Sequence, residues 1–230
     1  MPGIDGTAIL SVWERGVVQS LGDRALTFLE LAGVAPEEAR AMPVGTRDTA
    51  LLRIRQRLFG DRMDAVAACE RCDEEMDIVL SVEELLDQAR PTVFREVSAE
   101  VDGSNVVCRV PTAGDLADLR GIEDVETGVA GLIERCLIRG DRAAVVALEE
   151  SLAAADPGGE LCLVSICPCC SARNEMLFDA PSFLSKELRA LADGVLWDVH
   201  TIAGAYGWDE ETILRLTPSR RRFYMQAIAQ

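Results

Sequence analysis

Two short motifs carry the cysteines best placed for chemistry, Cys69-Glu-Arg-Cys72 and Cys167-Pro-Cys-Cys170. A Cys-x-x-Cys turn sets two thiolates on one side of a tight loop, at the separation of two corners of a zinc tetrahedron. Two such turns complete a closed four-thiolate site. Residues 73 to 166 lie between the pairs, too many for an ordinary zinc ribbon, so the spacing predicts two distant hairpins with an α-rich insertion between them. The expectation is one structural Zn2+ per chain on Cys69, Cys72, Cys167 and Cys170. At such a site binding free energy becomes folding free energy, on the order of 10 kcal/mol. Cys169 competes with Cys170 as the fourth ligand, and the matching two-residue gap favours Cys170. An iron–sulfur cluster or a redox pair is the weaker reading, because a thioredoxin-like motif occurs once and opens a helix, whereas both motifs here have hairpin context. Cys108, Cys136 and Cys162 have apolar neighbours and are expected to be buried packing residues.

Other residue types that could do chemistry are sparse. Four thiolates leave no open coordination position for water or substrate, so the predicted metal is structural. His200 is the only histidine, and Val199, Ile202 and Ala203 put it on or beside an apolar helical stripe, where a packing role is expected rather than a catalytic one. No Gly-rich phosphate loop, nucleophile elbow or His-Glu-x-x-His motif occurs. The short acidic runs Asp73-Glu74-Glu75 and Glu149-Glu150 read as solvated surface. These features predict a protein that is not an enzyme. The run Arg220-Arg221-Arg222-Phe223-Tyr224 mixes basic and aromatic residues; its simplest reading is a solvated helix face with Phe223 or Tyr224 turned inward. Its functional reading is docking to an acidic protein, with Trp208, Arg220, Arg221, Arg222 and Tyr224 as candidate partner-binding residues.

The charge of −16 opposes binding to phosphate backbones and anionic lipid, which makes nucleic acid an unlikely partner. Lys186 is the only lysine, so arginine is the default cation and a single arginine says little about anion recognition. Apolar residues at 49% and charged residues at 27% match an ordinary globular protein. No basic start followed by an apolar stretch suggests a secretory signal, and no run reaches the ~18 apolar residues of a membrane span, so a cytoplasmic location without membrane contact is expected.

The elements that must position the cysteines follow from periodicity. The predicted class is α+β, mostly helical, in three regions that read as one intertwined unit: a helical region over 1–60, a split zinc-ribbon-like core over 61–180, and a helical region over 181–230. In the first, Ile9, Leu10, Val12, Trp13, Val17 and Leu21 recur at helical spacing, as do Leu51, Ile54, Leu58 and Phe59, with Thr46 as a cap for the latter helix. Leu26 to Leu31 suggest a short helix closed by Gly33. Met63 to Ala68 and Met76 to Leu80 read as strands flanking the first cysteine knuckle, followed by a helix capped by Ser81 and stopped by Pro91. A hairpin turning at Asp102-Gly103-Ser104 and helices over 112–120, 125–138 and 143–155 make up the insertion. Glu160 to Ile166 and Glu175 to Phe178 flank the second knuckle. Leu184, Leu188, Leu191, Val195, Val199, Ile202 and Tyr206 predict one long amphipathic helix ending at Gly207, with two short helices after it, the last capped by Thr217.

Several stretches together resemble a known family. They are Trp13-Glu-Arg-Gly16, Gly45-Thr-Arg-Asp48 through Leu58-Phe-Gly60, and the ending: His200-Thr-Ile-Ala203, Tyr206-Gly-Trp208, Glu211, Ile213-Leu214, Leu216 and Arg220-Arg221-Arg222 through Tyr224. This ending is similar to that of the T-even phage baseplate hub assembly chaperones, whose relatives occur in gene clusters for phage tail-like contractile injection systems. The resemblance implies a cytoplasmic, non-enzymatic factor whose partners are baseplate, hub or spike subunits. It supplies no catalytic residues. The competing expectation is a zinc-ribbon nucleic-acid-binding accessory factor, which would need a basic face at the knuckles; Arg71 and Arg173 stand there against Glu70, Asp73, Glu74, Glu75 and Glu175.

Overall fold

The computed structural model describes residues 4–229. It is a mixed α/β chain in which helices predominate, with small antiparallel sheets and one long helix near the C-terminus. Helix α1 (Gly6–Val17) starts where Asp5 accepts a hydrogen bond from the Ala8 amide. Leu21 does not extend α1 but opens α2 (Leu21–Phe28), because Ser20 caps a new helix there. A 3-10 turn over Leu29–Ala32 follows and is closed by Gly33 at φ 78°, the left-handed position glycine adopts without steric cost. Helix α3 (Pro36–Ala41) leads to α4 (Val44–Phe59).

Thr46 is not the cap of α4. The helix starts earlier, after Pro43, and Gly45 sits in its first turn against the chain at Asp156–Gly159. The Gly45 amide donates to Asp156 Oδ2 at 2.9 Å, and Thr92 Oγ1 donates to Asp156 Oδ1 at 2.7 Å. A Cβ on residue 45 would lie 2.5 Å from Asp156 Oδ1 and 2.6 Å from the Gly159 nitrogen, so only glycine permits this approach.

Strands β1 (Arg62–Ala68) and β2 (Glu75–Ser81) form the first hairpin, in register from Arg62↔Ser81 to Ala68↔Glu75. Helix α5 (Val82–Gln88) follows, capped by Ser81 as its sequence predicts. In the insertion, β3 (Glu96–Val101) and β4 (Ser104–Arg109) make the expected hairpin, then α6 (Ala113–Asp118) and α7 (Val125–Cys136). Two expectations fail here. Leu137–Arg139 leave the helix to form β5 on the free edge of β4, and Arg142–Leu148 wind as a 3-10 helix before α8 (Glu149–Ala155). The second knuckle hairpin is β6 (Cys162–Ile166) and β7 (Arg173–Leu177). Helix α9 (Ala180–Tyr206) ends at Gly207 with φ 68°, and α10 (Glu210–Leu214) and α11 (Pro218–Ile228) close the chain. No helix among the described residues is long and apolar enough to cross a membrane.

The principal core draws on chain from both sides of the insertion. Val12, Phe28, Leu51, Met63, Val82, Leu161 and Leu184 share it, so α1, α2, α4, the bases of both knuckle hairpins and α9 bury one another. Arg55 of α4 locks this junction from within: its guanidinium grips Glu187 of α9 through two hydrogen bonds of 2.9 and 2.8 Å and donates to the Gly60 carbonyl at 2.6 Å. The insertion has a separate small core of Val106, Cys108, Val145 and Leu148. With their bases rooted in the principal core, the two knuckle hairpins bring their tips together.

Candidate metal centre

Each knuckle is a turn of the same shape. In the first, the Cys69 amide donates to the Glu74 carbonyl and the Asp73 amide to the Cys69 carbonyl, both at 2.9 Å. In the second, the Cys167 amide donates to the Ala172 carbonyl at 2.9 Å and the Ser171 amide to the Cys167 carbonyl at 3.0 Å. Asp73 and Ser171, the residues just after each second cysteine, both take φ 56°. Non-glycine residues seldom adopt that conformation; here the two closing hydrogen bonds hold it. The result turns both thiols of each motif to one side.

The two turns face each other, and their sulfurs interleave. Cys69 Sγ lies 3.6 Å from Cys170 Sγ, and Cys72 Sγ lies 3.7 Å from Cys167 Sγ. All four sulfurs fall within 4.8 Å of one another. A disulfide would need about 2.05 Å, so these are not disulfide distances. A tetrahedron with metal–sulfur bonds near 2.3 Å has edges of about 3.8 Å, which these two separations nearly match. The cluster contains Cys170, whereas Cys169 is outside it and exposed. Cys69 and Cys167 are buried among Met76, Ala67, Ile78 and Ala172, while Cys72 is exposed and Cys170 half-buried. The first cysteine of each motif thus seals the site from below and the second faces solvent.

The local field favours one thiolate and resists several. The Arg71 amide, joined by the Cys72 amide and the Cys167 and Cys170 thiols, holds the Cys69 pKa down to about 6 against the cost of desolvation. At Cys72 the Glu74 amide favours the thiolate, but the Cys170 thiol, desolvation and the other two sulfurs outweigh it and push the pKa up. Cys170 also rises: the Ala172 amide lowers it, yet desolvation and the Cys69 and Cys167 thiols prevail. Crowded sulfurs ionise in sequence because each new negative charge repels the next. A divalent cation at their centre would remove that repulsion, so the arrangement can hold a metal ion.

One residue of this site carries no motif. Asn174 of β7, only 1% exposed, accepts the Glu70 amide at 3.0 Å through Oδ1 and donates to the Ala172 carbonyl at 3.1 Å. It ties the backbone of the first knuckle to the second hairpin. Its signal in the sequence is an asparagine, poorly suited to strands, at an inward position of the strand alternation.

The other candidate residues separate. Cys108 and Cys136 are buried, and burial raises both thiols, Cys136 to about 11. Cys162 is not a packing residue: it lies on the outward face of β6, opposite Leu177, and is exposed. His200 is also exposed, its ring 5.7 Å from that of Trp197. It stands five residues beyond Val195, about 140° around the helix from that buried position, so it leaves the apolar stripe. Trp208 and Tyr224 pack edge to face at 5.0 Å, with Tyr206 stacked on Trp208 at 5.2 Å. Arg220 and Arg222 are exposed, but Arg221 is only 4% exposed. Its guanidinium donates to the Leu216 carbonyl at 3.2 Å and lies 3.5 Å from Asp198 of α9, so Arg221 anchors α11 and cannot meet a partner as its sequence position suggested. No family model, curated protein or solved structure matches the chain.

Proposed function

We propose that this chain is a non-enzymatic assembly chaperone, or a baseplate-associated protein, of a phage tail-like contractile particle, and that its four cysteines hold one structural Zn2+. The gathering of four sulfurs from two distant hairpins within 4.8 Å of one another carries the metal half of this reading. Thiolates are soft ligands that select zinc over hard cations, and four of them close its coordination sphere. Cys69, Cys72, Cys167 and Cys170 would hold the ion, whose contribution is cross-linking free energy and no reaction step.

The assembly half draws on the likeness of the C-terminal sequence to the phage hub chaperones and on the character of that segment: a helical end with an aromatic cluster of Tyr206, Trp208 and Tyr224 and the exposed cations Arg220 and Arg222. Nucleic-acid binding is disfavoured at the knuckles, where Glu70, Asp73, Glu74, Glu75 and Glu175 are all exposed. The test is affinity purification of the tagged chain from cells that make the particle. Baseplate, hub or spike subunits should co-purify with the full chain, and truncation after Gly207 should abolish this while one equivalent of zinc stays bound. A truncated chain that still supports assembly of sheathed particles ends the assembly reading. Purified, chelator-free protein with well under half an equivalent of any metal ends the zinc reading.

A further inference from the structure

The four sulfurs of the metal centre differ in what can reach them. Cys69 is 0% and Cys167 1% exposed, whereas Cys72 is exposed and Cys170 half-buried. Two sulfur contacts cross between the hairpins, and each joins one protected atom to one reachable atom: Cys69 Sγ to Cys170 Sγ at 3.6 Å, and Cys167 Sγ to Cys72 Sγ at 3.7 Å. That pairing suits oxidation in two steps, attack at the reachable sulfur and then closure by a partner already in contact. Drawing either contact in to a bond of about 2.05 Å takes a shift of about 1.6 Å. The shift falls on the loop tips, while Met63, Val82 and Leu161 keep the hairpin bases in the principal core.

The remaining thiols are poorly placed to intervene. Cys169 is exposed but outside the cluster, Cys162 begins β6 at the end away from the knuckle, and Cys108 and Cys136 are buried in the insertion. The surroundings also select the oxidant. Exposed Glu70, Asp73, Glu74, Glu75 and Glu175 outnumber Arg71 and Arg173 around the tips, and Arg173 is paired with Glu175. Anionic disulfides are repelled by that field, whereas a small uncharged hydroperoxide is not, and it is small enough to reach the half-buried Cys170.

We infer that Cys72 and Cys170 are oxidation sites for a hydroperoxide, and that two disulfides between the hairpins, Cys69 with Cys170 and Cys72 with Cys167, replace the metal as the clasp of the tips. This deepens the zinc reading and rests on it. In each pair the thiolate of the reachable cysteine attacks hydrogen peroxide, the O–O bond breaks, and a sulfenic acid and hydroxide result. The thiolate of the buried cysteine then attacks that sulfur, the S–O bond breaks and a second hydroxide leaves as the S–S bond forms. Two peroxides are thereby reduced to four hydroxides while four thiolates are oxidised to two disulfides, which leaves the cation without ligands. Because each bond runs from one hairpin to the other, the tips stay joined; disulfides within each Cys-x-x-Cys motif would let them part. The test treats the purified, zinc-loaded full chain with hydrogen peroxide in the presence of a colorimetric zinc chelator. Zinc should be released as four thiols disappear, peptide mapping should recover the two cross-hairpin disulfides, and a dithiol reductant with added zinc should restore the metal. Amide exchange over residues 65–78 and 164–176 should be at least about tenfold slower in the oxidised chain than in reduced chain stripped by chelator. Cys169→Ser should match wild type in every readout. Zinc that stays bound in excess peroxide, sulfinic acids in place of disulfides, disulfides within a motif or to Cys169, or oxidised tips as open as stripped ones overturn the inference and leave the zinc reading standing. A chain that purifies without metal ends both.

Discussion

Replacing Cys69 by serine removes one corner of the sulfur cluster with almost no change in volume. Without a metal, few interactions order the knuckles. The Glu70 amide bond to Asn174 contributes about 1 kcal/mol, and burial of Met76 adds about 2 kcal/mol. Against this, fixing the roughly ten knuckle residues costs about 10–20 kcal/mol of conformational entropy. The proposed zinc ion would contribute about 10–16 kcal/mol and offset that cost. The Cys69→Ser chain should therefore lose its metal and open at the hairpin tips. The bases of the hairpins stay shut, because Met63, Val82 and Leu161 are part of the principal core. Elemental analysis should read far below one equivalent of zinc. Hydrogen exchange should become fast over residues 65–78 and 164–176 and remain slow in α4 and α9. Global stability should fall by about 3–5 kcal/mol, a drop of roughly 10 °C in Tm for a chain of this size. The exposed Cys169→Ser is the matched control and should hold its metal, with stability unchanged within about 0.5 kcal/mol. A Cys69→Ser protein that retains a full equivalent of zinc, or a Cys169→Ser protein that loses as much as Cys69→Ser does, refutes the reasoning.

Gly45→Ala should destabilise the chain by about 2–4 kcal/mol in denaturant titration, because the new methyl group would collide with Asp156 and with backbone at Gly159; wild-type stability would show that the turn yields. Glu187→Ala leaves the Arg55 guanidinium, 5% exposed, without its carboxylate, and should cost about 2–4 kcal/mol in the same assay. Asp115 gives a pH signature. Burial opposes its ionisation, but the Arg109 fork at 2.5 and 2.8 Å and the Thr112 amide and hydroxyl prevail and hold its pKa at about 2. A folded pKa below the unfolded value stabilises above the unfolded value, so about 2 kcal/mol should be present at neutral pH and vanish as pH falls from about 4 through 2. In Asp115→Asn that part of the acid-unfolding curve should flatten; an identical curve would remove Asp115 from the balance.

Much of the local structure was legible residue by residue. The alternation of Met76, Ile78 and Leu80, the cap at Ser81, the stops at Gly33 and Gly207 and the Thr217-Pro218 start each act within a turn of chain, so their effect is written in neighbouring residues. The Cys-x-x-Cys spacing belongs to the same class: it sets two thiols on one side of a loop whatever lies elsewhere. Contacts between distant segments decided the rest. Leu137 and Ile138 continue a helical spacing, and only the free edge of β4 draws them into a strand. Three consecutive arginines are chemically alike, but the phase of α11 against α9 buries Arg221 beside Asp198 and leaves Arg220 and Arg222 outside. Cys162 and His200 have apolar neighbours in sequence and face outward because of which side of β6 and α9 packs. Asn174 meets Glu70 only because the two hairpins converge. The sequence by itself determined where the chain turns, caps and alternates, and which thiols come in pairs. Tertiary structure alone decided which faces were covered, and it brought together the two pairs that their matching spacing had predicted to meet, since burial and proximity arise from contacts between residues far apart along the chain.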